Sequence, residues 1–524
     1  MKVDVWCDKL KDYHDQEVVE LLKYGFPIGY SSQSPPVSVI KNHNGAYEYP
    51  QCISDYLSEE VKSGLILGPW KDNHLSEPLA ISPMNSVPKK LEGERRIIAD
   101  FSFPEGSSVN GGISKDDYLG REVNLSYPTV DNLAKLLKEF GPGTHMFKKD
   151  LKKAYRQFLV DPSDIHLCGY YWNDCIYVDV ALVMGCRSAA HICQRVTNSV
   201  AYMADQENIC TINYLDDLCA VADPVSSHDK FQKLTKLLQD LGLRESVEKS
   251  VVPDTRVEFL GIMFDSVSQT MEVTAERLQE ISELLDIWSG KKRASKRELQ
   301  SLLGKLVFIS KCVYSSRVFI SRMLATLRSL KKQNHRFKIG QQFKKDLAWW
   351  RSFLKVFNGV SFIPEMIWSK PDEEMSTDAC LSGGGGWSGC EYFSCQFPEF
   401  IIRKNFHINA LELWVILVGL RLWHANFRSR RIQLFCDNQV SVGLINSGKG
   451  RDPILLKILR EILFLCSTNG IQIRAVHLPG LENRRADKLS RAPSDDSINV
   501  KECVPDHWVE KKVSEFEFRL EENW

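Results

Sequence analysis

The hydrophobic and polar positions of this chain follow two periods, and the period changes several times along its length. From about residue 76 to 265, strand-like and helix-like runs alternate. Arg95-Arg96-Ile97-Ile98-Ala99-Asp100-Phe101 reads as a strand, and Val130 to Phe140 as a helix with Leu133, Leu136 and Leu137 on one face. Cys210 to Tyr214 and Leu218 to Val221 are apolar and β-branched on either side of Asp216-Asp217, which predicts a tight hairpin with the acids at its tip. From about 270 to 356 the pattern is helical, with Leu299, Leu302, Leu303, Leu306 and Phe308 recurring after Gly290 and the charge run 291–297. Pro364 to Glu374 reads as a linker. A second α/β pattern fills 375–493, where Gly383–Gly386 before Trp387 predicts a turn between strands. The most apolar helical stretch, Leu411 to Trp423, contains Glu412 and Arg421 and is too short to span a bilayer. Residues 1–75 mix short apolar pieces with Gly and Pro and carry no chemical signal.

Charge changes this picture only locally. Lys+Arg and Asp+Glu both total 67 in 524 residues, so a nucleic-acid partner cannot be argued from net charge. From Lys291 to Lys345, however, there are 16 Lys/Arg and a single acid, Glu298. That run suits either solvated helix faces or a groove wall that neutralises phosphates. Residues 501–524 carry seven acids against four bases and read as a solvated tail. The 15 cysteines show no C-x2-C pair, so no zinc finger or knuckle is expected. Met1 to Trp6 lacks the apolar core of a signal peptide, which with scattered cysteines predicts an intracellular protein with reduced thiols and no membrane partner.

Two adjacent carboxylates beside an apolar strand repel each other and need a partner. A hard divalent cation suits carboxylate oxygens and leaves room for substrate phosphates. Taken alone, the tetrapeptide Tyr214-Leu215-Asp216-Asp217 serves equally well as a solvated turn. Upstream, Met146 to Asp150 reads as a strand that brings a third carboxylate to the hairpin tip. Three such acids can hold two Mg²⁺ roughly 4 Å apart for phosphoryl transfer.

With these residues the chain resembles the reverse transcriptases. Asp150 with Tyr155 is similar to their first palm motif, and Tyr214-Leu215-Asp216-Asp217 to their YxDD motif. The resemblance implies metal-binding roles for Asp150, Asp216 and Asp217. It makes Tyr155 a steric gate against the 2′-hydroxyl and puts Tyr214 and Gly185 beside the substrates. Gly242-Leu243 and Lys249 resemble the next motif, which makes Lys249 a candidate general acid for pyrophosphate. Phe259-Leu260-Gly261 resembles the primer grip. Pro88-Lys89-Lys90 and Arg95-Arg96 resemble the fingers strands, with Arg96 as triphosphate ligand and Lys89 or Lys90 as the fingers lysine. Val183-Met184-Gly185 departs from the Pro-Phe-Gly or Pro-Gln-Gly of many relatives. Gly185 still allows close backbone approach, but Met184 cannot hydrogen-bond like Gln.

The second α/β region carries four acids: Asp378, Glu412, Asp437 and Asp487. Glu412 lies on a very apolar helix and needs a partner. This region resembles ribonuclease H, with His477-Leu478-Pro479-Gly480, Asn483 and Asp487 matching the last motif. The resemblance implies a two-metal site of these four acids. His477 would move protons or aid product release, and the RNA of RNA–DNA hybrids would be hydrolysed.

The implied architecture is a multidomain α/β and α+β chain. A right-hand polymerase of fingers, palm and thumb precedes a ribonuclease H-like domain. The expected divisions are an N-terminal extension (1–75), fingers and palm (76–268), a helical thumb/connection (269–363), a ribonuclease H-like domain (375–493) and an acidic tail (494–524). Finer resemblance is to the DIRS/Ngaro retrotransposons. It is carried by Arg297 to Leu306, Trp349-Trp350, Thr377-Asp378-Ala379-Cys380 and Arg187-Ser188-Ala189-Ala190. It implies an RNA template, a DNA primer, RNA–DNA hybrid and deoxynucleoside triphosphates as partners, with Mg²⁺ at two per site or Mn²⁺ in its place. A tyrosine recombinase would come from the same element, and the chain would act in cytoplasm or nucleus. The alternative is a domesticated or decayed copy that binds nucleic acid without catalysis.

Overall fold

A computed structural model describes residues 1–520 apart from 90–93, 124–126, 356, 358, 363–370, 451 and 496. Lys90 and most of the expected linker Pro364–Glu374 therefore lie outside the described residues. The chain divides into two compact units, Met1–Leu260 with Phe264–Gln269, and Gly261–Met263 with Thr270–Trp524.

The first unit is built around a four-stranded antiparallel sheet ordered Val251–Asp254, His145–Asp150, Asp217–Ala222, Cys210–Tyr214. Its strands are apolar because helices cover them. Val130–Phe140 buries Val130, Leu133, Ala134 and Leu137 and starts with a Thr129/Asn132 capping box. Ala189–Gln206 and Ser227–Leu241 also pack on this sheet. The expected strand at 95–101 spans Arg95–Ala99 and pairs antiparallel with Met84–Pro88.

Residues 1–75 belong to the same unit. Trp6 is fully buried and its Nε1 donates to the Leu241 carbonyl at 3.0 Å. Glu60, on the helix Pro50–Lys62, is buried against Arg156, which donates to Glu60 Oε2 at 2.9 and 2.7 Å. Arg156 also donates to Asp179, which accepts from the Tyr170 hydroxyl at 2.9 Å. Arg156→Met leaves buried Asp179 without its cation and Glu60 with Lys153 alone at 3.0 Å, and is expected to cost about 3–5 kcal/mol. Burial already pushes the Asp179 carboxyl up to about 6 against the pull of Arg156. Denaturation of the variant should therefore show a smaller loss at pH 5 than at pH 8, and an equal loss would contradict this account.

In the second unit, helices Ala275–Gly290, Lys296–Ile309, Ser321–Ser329 and Gln341–Leu354 match the expected helical stretch. The one acid of the basic run, Glu298, closes a capping box with Ser295 and pairs with Lys291 at 2.5 Å. A short ribbon pairs Arg293 with Lys338 and Ser295 with Arg336, so basic residues far apart in sequence share one exposed ribbon. Asp346 is fully buried between Arg460 at 2.8 Å and Arg322 at 3.2 Å, which joins these helices to the helix Pro453–Thr468.

The same unit contains a mixed six-stranded sheet ordered Gln472–His477, Arg431–Cys436, Glu373–Ala379, Gly383–Ser388, Glu391–Gln396, Val509–Glu510. The first three strands are mutually parallel. The glycine run predicted as a turn is a strand. A Cβ on Gly384 would collide with Val415 of the helix Ile408–Phe427. One on Gly385 would lie 2.5 Å from Leu489 of the helix Arg484–Arg491. Glycine at this strand lets two helices close onto opposite faces of the sheet.

Ile408–Phe427 runs 20 residues, longer than the apolar stretch read from the sequence, and passes for a membrane span by length and composition. Its Leu413 and Val415–Val418 side chains are fully buried within this unit, which makes it a core helix. The acidic C-terminal segment is likewise no solvated tail. Phe518 is buried, the Trp414 Nε1 donates to its carbonyl at 3.0 Å, and Arg421 donates to the carbonyls of Glu517 and Arg519 at 2.7 Å each. Val509–Glu510 extends the sheet edge beside Glu391–Tyr392. All 15 cysteines are free thiols.

Candidate active sites

In the first unit, Asp217 sits directly opposite Asp150 in the strand register. Tyr214 and Asp217 close a two-residue turn of Leu215 and Asp216, and Leu215 takes a positive φ of 53°. The Leu151 amide donates to the Asp216 carbonyl at 2.9 Å, which fixes the turn against the end of the Asp150 strand. Three carboxylates from two strands thus converge. Burial raises the Asp216 and Asp217 carboxyls, and repulsion from Asp150 adds to both shifts.

A buried glutamine holds the turn. The Leu215 amide donates to Gln194 Oε1 at 2.8 Å, and Gln194 Nε2 donates to the Asn213 carbonyl at 2.9 Å. No local sequence signal marks Gln194, because its role depends on the helix Ala189–Gln206 lying under the hairpin. Lys249 donates to Asp150 Oδ1 at 3.0 Å, and this hydrogen bond is the main cause that raises its ammonium group. Lys148 lies 3.5 Å from Asp217 Oδ1. It escaped sequence reasoning, although its place two residues before Asp150 on a strand puts both side chains on one face.

Tyr155 is half-buried, and burial raises its phenol, with Cys193 and Asp216 adding to the shift. The Tyr214 ring lies 5.9 Å from that of Tyr127, another residue the motifs did not mark. Gly185 has φ +117°, and a Cβ there would stand 2.7 Å from the Ala99 carbonyl oxygen. Met184 beside it is exposed. Arg95 is tied to Ser86 and stacked on Tyr49 at 3.5 Å, while Arg96 is exposed. Lys89 is also exposed and pairs with Glu94 at 3.0 Å. Neither Lys89 nor Arg96 makes a hydrogen bond or ion pair with the three aspartates among the described residues. Leu260 and Gly261 both have positive φ and form a tight turn at Phe259-Leu260-Gly261.

In the second unit, Asp378, Asp437 and His477 lie at or just beyond the carboxyl ends of three neighbouring parallel strands, the usual place for a ligand in such a sheet. Glu412 reaches this end from its buried helix and accepts from the Ala379 amide at 3.3 Å. Ligand atoms of Glu412, Cys436 and Asp437 lie within 4.8 Å of one another. Burial pushes the Glu412 carboxyl up to about 9 and Asp378 to about 7, and raises Asp437 as well. Asp487 raises both Asp378 and Asp437, which brings it into the same cluster. Its own carboxylate is paired with Arg491 at 2.6 Å.

Supporting contacts fix these acids. Ser490 donates to Asp378 Oδ2 at 2.5 Å, and Asn483 bonds Ser376 and Thr377 at 2.6 and 3.0 Å. His477 Nε2 donates to the Asp437 carbonyl at 3.0 Å. Ser490 was legible in principle, three residues after Asp487 on one helical turn. Cys436 was not, since a thiol beside an acid has no distinctive spacing. Both clusters suit divalent cations, because each gathers hard carboxylate oxygens whose raised carboxyls mark uncompensated negative charge.

No family model matches this chain, and no curated protein matches it either. Solved structures do. A foamy viral protease-reverse transcriptase dRH in complex with double-stranded DNA matches at TM-score 0.51 and 15% identity, over 90% of this chain and 81% of that one. Foamy viral protease-reverse transcriptase structures with double-stranded DNA and with RNA/DNA hybrid match at 0.49 and 0.48, both at 16% identity, over 90% and 92% of this chain and 96% and 63% of theirs. The fold is that of a reverse transcriptase. It rests on the first match and on the mixed α/β architecture of both units. At this identity the likeness carries the fold and not the chemistry.

Proposed function

We propose that this chain is an RNA-directed DNA polymerase with ribonuclease H activity, encoded by a retrotransposon. The observation that carries it is the pairing of Asp217 opposite Asp150 with Asp216 at the turn between. A separate cluster of Asp378, Glu412, Asp437 and Asp487 supplies the second activity. All seven acids are present, which argues against a decayed copy.

Bound Mg²⁺, or Mn²⁺ in its place, supplies Lewis acidity and charge neutralisation at both clusters. Asp150, Asp216 and Asp217 hold the ions of the polymerase site and orient the primer hydroxyl against the triphosphate. Lys249 donates a proton to pyrophosphate or stabilises its charge, and Arg96 and Lys89 close on the triphosphate from the fingers hairpin. Tyr155 excludes the 2′-hydroxyl, while Tyr214 and Gly185 pack beside the primer end and the incoming base. In the nuclease site the four acids hold the ions and His477 moves protons. The ribbon of Arg293, Arg336 and Lys338 tracks the template–primer backbone through phosphates, so binding weakens with salt. The motif residues favour the DIRS/Ngaro group, with a tyrosine recombinase as partner and deoxynucleoside triphosphates as substrates inside the cell.

The test is primer extension on poly(rA)–oligo(dT) with dTTP and Mg²⁺, together with release of fragments from labelled RNA–DNA hybrid. Both activities are expected, both lost on chelation, and rUTP in place of dTTP should extend poorly because of Tyr155. A folded chain that binds the hybrid but shows neither activity would overturn the enzyme reading in favour of a non-catalytic binder.

A further inference from the structure

Lys148 is unlike the other lysines of the first unit. It projects from the middle of the sheet on the same face as Asp150, and its side chain is only 16% exposed. Its Nζ lies 3.5 Å from Asp217 Oδ1. The neighbouring Lys149 turns to the opposite face, pairing with Glu245 at 3.1 Å and covering the Phe231 ring at 3.8 Å. Lys249, the other cation at the site, is 62% exposed and reaches Asp150 from the short turn Val247–Lys249.

The two lysines therefore differ in what they can do when a cation arrives. The exposed stem of Lys249 can swing into water at little cost. Lys148 is held by strands on both sides, opposite Cys219 and Val251, so its charge stays at the site. Three carboxylates carry three negative charges, and a resident ammonium leaves two.

We infer that Lys148 is a built-in counter-charge for Asp217, a positioning residue that keeps one carboxylate oxygen occupied and sets how tightly the polymerase site takes up divalent cations. This rests on the polymerase reading above. It assigns the two adjacent aspartates unequal roles: among the described residues no lysine is hydrogen-bonded to or paired with Asp216, which feels Lys249 only at longer range, while Asp217 is shared between a cation and Lys148.

The test is Mn²⁺ binding by the full chain, followed through the electron paramagnetic resonance signal of free Mn²⁺. Glu412→Gln and Asp437→Asn are present throughout to silence the second cluster. Lys148→Met should bind Mn²⁺ about tenfold or more tightly, since a positive charge beside a divalent ion is removed. Lys148→Arg keeps the charge and should bind as the parent does. The Mg²⁺ midpoint of primer extension should fall by a similar factor in Lys148→Met. Without metal, Lys148→Met should melt below the parent and Lys148→Arg close to it. Lys148→Gln, neutral but polar, takes the place of Lys148→Met if that variant does not fold. Unchanged Mn²⁺ affinity in the neutral variants, or an equal change in Lys148→Arg, would overturn the inference. Absence of primer extension by the native chain would instead overturn the polymerase reading, and the binding titration is independent of it.

Discussion

Asp216→Asn should abolish primer extension while hybrid cleavage continues. The substitution is nearly isosteric, and its backbone contacts, the Leu151 amide on the Asp216 carbonyl and Gln194 on the Leu215 amide, are untouched. What changes is one negative oxygen where charge must be offset. Losing a metal-binding oxygen removes several kcal/mol of transition-state stabilisation, so the rate should drop by about 10³-fold or more at about 1.4 kcal/mol per decade. Stability should hold or rise, since burial and two neighbouring carboxylates already penalise the Asp216 charge. The four acids of the other cluster lie in the second unit and keep their geometry. Rates of extension and of hybrid cleavage, measured on one preparation with its melting curve, decide the matter. Extension within tenfold of native would mean that Asp216 does not hold the ion.

How much of this was legible in the sequence differs by the range of the interaction. The hairpin at Asp216-Asp217 and the helix at Val130–Phe140 were readable because their patterns are local and their caps and turns sit in the same window. The seven acids were readable because each lies inside a short motif. The glycine strand was misread because glycine signals a turn locally. Its use here depends on Val415 and Leu489 approaching from opposite faces, about 30 and 105 residues away. Glu60 and Trp6 left no signal in residues 1–75, since their partners Arg156 and Leu241 are distant in the chain. The acidic segment read as solvated by charge count, yet its carbonyls and Phe518 dock on the helix Ile408–Phe427 and the sheet, while Glu502, Glu515 and Glu517 pair with neighbours close in sequence. Lys148 was hidden by a run of four lysines around Asp150, of which only tertiary pairing distinguishes one from another.

Glu412→Gln should stop hybrid cleavage and at the same time make the metal-free second unit more stable, by an amount that grows with pH. The Glu412 carboxyl is pushed up to about 9 by burial, with Asp378 and Asp437 adding repulsion, and Asp378 is pushed up to about 7. Both folded values lie above the ordinary 4.5 and 3.8. Their contribution to stability is therefore fully present below about pH 4 and is lost as pH rises through 7 and 9, because the unfolded chain releases these protons first. Glutamine removes the Glu412 part of that loss. Its amide oxygen can still accept from the Ala379 amide, so the buried contact is kept. In chelator, the variant should melt about 4 °C or more above the native chain at pH 8 and show little difference at pH 5. Adding Mg²⁺ at pH 8 should raise the native melting temperature more than that of the variant, since the ion offsets the same charge. Hybrid cleavage should fall by about 10³-fold, as for loss of any one metal-binding oxygen. A variant that melts no higher than native at pH 8 would mean that the four acids are not held in a buried cluster. One that still cleaves hybrid would remove Glu412 from the reaction. The paired result, less activity with more stability, is what a site built to receive a cation must give, because the repulsion that the ion offsets is present whenever the ion is not.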